Sequence, residues 1–267
     1  MLKQRIITAL ILVALVLIAL FAPNPIYWRA LISLAILISF FEWLKLCKVD
    51  SSGVKVLAYS AFAVCFYLLQ AKYVAFSVLV PLACLLWVVL LIFTLSNKLD
   101  VLHNRWSKLL IGILVLSVAG SLIIEFKSLP NGALWVLCFM VSIWAADVGA
   151  YFSGKRFGKT KLAPTVSPGK TIEGLVGGLA LVALFYTPLL FWIFAPKAAA
   201  MLLVAVLLTA LISVGGDLFE SKLKRHAGLK DSSQILPGHG GMLDRIDSLL
   251  AGAPFFSGGL LLLGHLA

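Results

Sequence analysis

The chain has 267 residues, of which 62% are apolar and only 12% charged, with a formal net charge of +11. Soluble domains are apolar over about half of their length, so this composition excludes a water-soluble fold. The cations lie in short loops with few aromatics between them, which argues against nucleic acid and for anionic lipid headgroups as their counter-surface.

Nine apolar runs follow in chain order, at 6–22, 30–46, 56–71, 74–96, 108–126, 132–152, 174–195, 198–216 and 248–266. Each approaches the roughly 20 residues that a helix needs to cross a bilayer. Lys3 and Arg5 precede the first run as they would in a secretory leader. Its length and the poor cleavage context of "FAPNP" (21–25) make it a retained anchor. Cys47, Cys65, Cys84 and Cys138 sit singly in or beside apolar runs, so neither a disulfide framework nor a zinc site is expected.

With nine spans, the loops alternate between the two sides of the membrane. Arg29, Lys72, Lys127 and Lys197 fall on one side, and the other 18 of the 22 Lys and Arg fall with the N-terminus. A wrong span count would mix the two sets. The bias places the N-terminus in the cytoplasm and the C-terminus outside. The expected fold is therefore all-α and polytopic, with about nine transmembrane helices. Residues 1–130 would serve packing, lipid contact or association with a second copy, and 131–267 would form the catalytic region.

Two cytoplasmic loops, 153–173 and 217–247, are far longer than the rest, and long ordered loops in compact proteins are usually functional. Before the first of them, Asp147 lies within the sixth run, where a carboxylate costs roughly 2.5–3.5 kcal/mol on insertion scales. "GKT" occurs at 158–160 and again at 169–171. A phosphate-binding P-loop needs a glycine five residues before each G-K, and those positions hold Ser153 and Pro164. What remains is a basic, glycine-containing loop able to grip polyphosphate through lysine and backbone N–H groups.

The second loop opens with "DLFESKLKRHAG" (217–228), which continues the eighth helix to Gly228. Asp217, Glu220, Ser221 and Lys224 then share one face, and the structural alternative is a solvated helix end with a Glu220–Lys224 pair. "PGHGG" (237–241) is a loop with exposed backbone N–H groups, suited to phosphate oxygens. Asp244 and Asp247, with Arg245 between them, begin the ninth helix. One acid there would cap it; two on one face can share a divalent cation. His103, His226 and His265 have no partners at ligand spacing and are read as surface residues. Carboxylates for Mg²⁺, cations for phosphate charge and a glycine loop are what phosphoryl or nucleotidyl transfer requires. A lipid kinase or an anion transporter would fit the same ingredients. A transporter would instead need polar groups near the bilayer midplane, and Glu42 is the chief one away from the cytoplasmic edge.

From Ser221 to Asp247 the chain reads S-x-x-K-R-x4-K-D-x-S-x-x-L-P-x-H-G-G-M-x-D-R-I-D. This resembles the signature of the phosphatidate cytidylyltransferases, or CDP-diacylglycerol synthases. "DVGAYFSGKRFG" (147–158) and "SPGKTIEG" (167–174) look like two further blocks of that family. The resemblance implies that CTP and phosphatidic acid give CDP-diacylglycerol and pyrophosphate, and the short length without appended domains points to a bacterial inner membrane. It carries metal ligation onto Asp217 and Asp244, with Asp247 as a further ligand or neighbour, for Mg²⁺ and a monovalent cation such as K⁺. The expected phosphate contacts are Ser221, Lys224, Arg225, His239 and Arg245. Substrate binding falls to Asp147, Lys170, Thr171, Lys230, Gly240 and Gly241.

Overall fold

The computed structural model describes residues 2–96 and 104–266; His103 lies outside them. Among the described residues nine helices follow in order: α1 (Leu2–Phe21), α2 (Ile26–Leu46), α3 (Ser52–Gln70), α4 (Phe76–Leu95), α5 (Arg105–Ser128), α6 (Gly132–Phe157), α7 (Ile172–Ile193), α8 (Pro196–Ala227) and α9 (Leu243–Leu262). Each covers one expected apolar run. All but α2 and α9 are long and apolar enough to cross a membrane. The fold is all-α and polytopic.

The first long loop is shorter than expected, because α6 runs on to Phe157. Beyond it, β1 (Lys161–Ala163) and β2 (Ser167–Thr171) pair antiparallel, with Lys161 opposite Thr171 and Ala163 opposite Ser167. Strands of three and five residues are too short to show an alternating pattern in sequence. Thr171 ends the hairpin and starts the next helix, its hydroxyl accepting from Gly174 N–H at 3.0 Å. The second long loop begins as the sequence indicates, with α8 continuing unbroken through Asp217 and Lys224. Gly228, at φ +79°, terminates it. Its N–H donates to Arg225 O at 3.0 Å and Leu229 N–H donates to Lys224 O at 2.8 Å, a left-handed C-terminal cap.

Contacts divide the chain into two units, 1–73 with 99–136 and 223–247, and 74–98 with 137–222 and 248–267. In the first unit α2 packs on α1 and α5, and α3 on α5. Trp28 and Trp43 are buried there, and their indole N–H groups donate to Ile123 O at 3.1 Å and Lys108 O at 2.9 Å. A buried indole needs such an acceptor. Trp43 lies so close to α5 that a Cβ on Gly112 would collide with its ring. In the second unit α6 meets α7 through small residues. A Cβ on Gly149 would stand 2.8 Å from Gly177 O and 2.9 Å from Gly178 Cα. Backbones of apolar helices approach this closely only where side chains are absent.

Candidate active site

The ionisable residues singled out from the sequence gather into two clusters, one in each unit. In the second unit, β2 presents Lys170 to α8. Its Nζ lies 2.7 Å from Asp217 Oδ2 and donates to Val214 O at 3.2 Å. Ser221, one turn beyond Asp217 on α8, donates its hydroxyl to Asp217 Oδ1 at 3.1 Å. Asp217 is thus held from two sides and still 37% exposed, leaving an oxygen face open to a ligand. The adjoining cleft is lined by Asp147, Tyr151, Gly169, Lys170, Thr171 and Gly174. Asp147 on α6 is exposed to it. The Thr171 hydroxyl, expected at a substrate, is engaged as the α7 cap. Glu173 orders the turn before the hairpin by accepting from the N–H groups of Lys159 and Thr160, each at 3.1 Å.

In the first unit the signature segment folds around Asp244. Lys224 Nζ donates to Asp244 Oδ1 at 2.6 Å, and both side chains are buried, at 10% and 6% exposure. The other oxygen, Oδ2, accepts from Ser232 N–H at 3.0 Å, Ser232 Oγ at 3.0 Å and Gly241 N–H at 2.7 Å. Burial works against ionisation of this carboxyl. The hydrogen bonds from Lys224 and Gly241, the lysine charge and the Ser232 N–H outweigh burial and hold it below the usual carboxylate value.

The glycine loop is shaped by these contacts. Leu236 N–H donates to Gly240 O and His239 N–H to Leu236 O, both at 2.9 Å, closing a tight turn. Gly240 has φ +86°, and a Cβ there would stand 2.8 Å from Asp244 Oδ2. His239 is placed in this turn with its Nδ1 buried and without a hydrogen-bond partner among the described residues. Arg225 donates to Leu229 O at 3.0 Å, helping to close the end of α8. Arg245 and Lys230 are exposed, and Asp247 is partly buried one turn after Asp244 on α9.

The sequence reading set Glu42 aside as an exception, yet the structure brings it to this segment. The Glu42 side chain on α2 is fully buried. It accepts from Ser233 Oγ at 2.5 Å, Ser232 Oγ at 3.0 Å, Met242 N–H at 3.0 Å and Leu243 N–H at 2.7 Å. Its signal was present in the sequence: a carboxylate inside an apolar run is functional until shown otherwise.

Among the described residues no group of three or more His, Cys, Asp or Glu is arranged to hold a metal. Magnesium is usually held by one or two carboxylates, with water and substrate phosphates completing the shell. The hard oxygens of Asp217 and Asp244 suit that mode, Asp217 with its open face more readily than the fully engaged Asp244.

The sequence matches the model of the cytidylyltransferase family over residues 3–262. It is 38% identical to a phosphatidate cytidylyltransferase of Pseudomonas aeruginosa over 261 residues, with 96% of each chain covered. A Haemophilus influenzae protein of the same name is 36% identical, covering 96% of this chain and 98% of its own. One from Bacillus subtilis is 33% identical, with 95% of each covered.

Proposed function

Because the chain belongs to the cytidylyltransferase family, we propose that it makes CDP-diacylglycerol and pyrophosphate from CTP and phosphatidic acid, as an integral membrane enzyme of a bacterial inner membrane. The observation that carries this reading is the pairing of Asp217 with Lys170 and of Asp244 with Lys224. A chain with only 11 acids holds both expected carboxylates against ammonium groups. A carboxylate suited to a cation beside an ammonium group suited to phosphate, found twice, supports the reading.

A phosphate oxygen of the lipid attacks the α-phosphorus of CTP and forms the new P–O bond. The bond to the β-phosphate breaks, and pyrophosphate leaves with the electron pair. The lipid phosphate is largely ionised at neutral pH, so neither a protein nucleophile nor a general base is required. Lys170 and Lys224 offset phosphate charge, and the Gly241 N–H serves the site by holding Asp244 Oδ2. Asp217 and Asp244 are the carboxylates that would hold Mg²⁺ and a monovalent cation such as K⁺, and such ions would supply the charge neutralisation that two polyanions need in order to meet.

The site faces the cytoplasm in this reading, where CTP is available, and phosphatidate enters sideways from the bilayer. Turnover by the purified full chain with phosphatidate and CTP, with and without Mg²⁺, tests the proposal. Pyrophosphate should appear only with all three present. Asp217→Asn and Asp244→Asn should each reduce it about a hundredfold or more. Near-normal turnover in either variant eliminates the metal assignment.

A further inference from the structure

We propose that Glu42, in the N-terminal half of the chain, is a positioning residue for this reaction. It clamps the 232–243 segment and, through the Ser232 hydroxyl, sets the placement of Asp244. The inference rests on the reading that Asp244 serves cytidylyl transfer.

Glu42 lies 190 residues or more from every group that it binds. Two of its donors are the backbone N–H groups of Met242 and Leu243, at the start of α9. These groups have no partner within the helix, and the positive end of the helix dipole favours a carboxylate there. The cap of α9 is therefore supplied by α2 rather than by a neighbouring residue. The other two donors are the hydroxyls of Ser232 and Ser233, so one carboxylate ties both ends of the segment carrying "PGHGG".

The Ser232 hydroxyl stands 3.0 Å from Glu42 Oε2 and 3.0 Å from Asp244 Oδ2. It has one proton and donates to only one carboxylate at a time. Both acids thus share a single donor, and any displacement of Glu42 is felt at Asp244. Gly241 shows how tightly the arrangement is built. A Cβ there would collide with Ser232 Oγ and stand 2.6 and 2.7 Å from the two Glu42 oxygens. The glycine is required because an α2 side chain fills its space.

A purely structural cap would affect stability alone; a positioning role changes turnover per folded molecule. In Glu42→Gln one acceptor oxygen becomes an amide N–H₂ facing donors. A shift of about 1 Å at a catalytic group costs about a hundredfold in rate. With the full-length enzyme in phosphatidate mixed micelles, kcat should fall about a hundredfold while KM for CTP stays within about threefold. Glu42→Asp, which keeps the carboxylate, should recover part of the loss. Ser232→Ala should lower kcat too, and combined with Glu42→Gln it should cost much less than the product of the two losses. Wild-type turnover per folded molecule in Glu42→Gln, or losses that multiply independently, overturns the proposal.

Hydrogen exchange on the same proteins reads the clamp without using activity. Exchange across 232–243 should accelerate at least tenfold in Glu42→Gln, with the α5 amides unchanged. Unchanged exchange in that segment sinks the clamp. If the wild-type enzyme fails to turn over CTP, the activity reading falls, and the exchange result alone judges Glu42.

Discussion

Replacing Lys224 by Met removes the cation from the Lys224–Asp244 pair and nearly preserves side-chain volume. Both groups are buried, at 10% and 6% exposure, so solvent screens little of the effect. Breaking one side of a buried pair costs about 3–5 kcal/mol, because the remaining charge is left uncompensated. Here Asp244 Oδ2 keeps the N–H groups of Ser232 and Gly241 and a share of the Ser232 hydroxyl, which lowers the expected loss to about 2–3 kcal/mol. At about 2–4 °C per kcal/mol for a chain of this size, the melting midpoint should drop by roughly 4–12 °C. The pH dependence gives the argument its sign. In the wild-type protein the Asp244 carboxyl sits below its ordinary value. Its contribution is therefore complete above the unfolded value of about 3.9 and is lost only as pH falls through the folded one. Without the lysine, burial has less to oppose it and the carboxyl rises, so the variant should recover part of its deficit as pH falls from 7.5 to 5. Thermal unfolding of wild type and Lys224→Met in the same detergent at both pH values reads this directly. A deficit below about 0.5 kcal/mol, or one that does not change with pH, refutes the reasoning.

Gly241→Ala should cost about 1–3 kcal/mol of stability and most of the turnover, because its Cβ meets Ser232 and Glu42; unfolding and CTP assays on one preparation check both. Gly112→Ala meets the Trp43 ring within the first unit. It should destabilise by a similar 1–3 kcal/mol while leaving KM for CTP unchanged. With the four native cysteines replaced by serine, Lys230→Cys should react with a membrane-impermeant thiol reagent only in inside-out vesicles. Lys127→Cys should react only in right-side-out ones. The opposite pattern would reverse the cytoplasmic placement drawn from the loop charges.

The helices were legible because each apolar run is long and because breakers such as Gly228 stand at the ends. The shared face of Asp217, Ser221 and Lys224 followed from helical spacing alone. The β1–β2 hairpin was not legible, since "SPGKT" carries no alternation and Thr171 is its one β-branched residue. Residue types and spacings singled out both lysines and both aspartates as candidates but could not say which lysine meets which acid. A pair of Lys224 with Glu220, one turn away, was the structural alternative; the structure has Lys224 donating to Asp244, twenty residues on, a contact that no helical spacing indicates. Glu42 was visible as a misplaced charge, yet its partners lie near the far end of the chain. No local pattern connects a carboxylate on α2 with the glycine pair before α9. The glycines of "PGHGG" looked like a phosphate loop, and part of their cause is steric: Gly240 and Gly241 make room for Asp244, Ser232 and Glu42.

The central claim is that the lipid phosphate attacks the α-phosphorus of CTP, and the fate of each phosphorus tests it most directly. Purified enzyme would be incubated with phosphatidate and CTP carrying radioactive phosphorus at the α or the γ position in separate reactions. The account predicts that α-label passes into a cytidine-containing lipid and γ-label into pyrophosphate. Label from the γ position in the lipid, with CDP as the soluble product, would contradict it and make the protein a kinase.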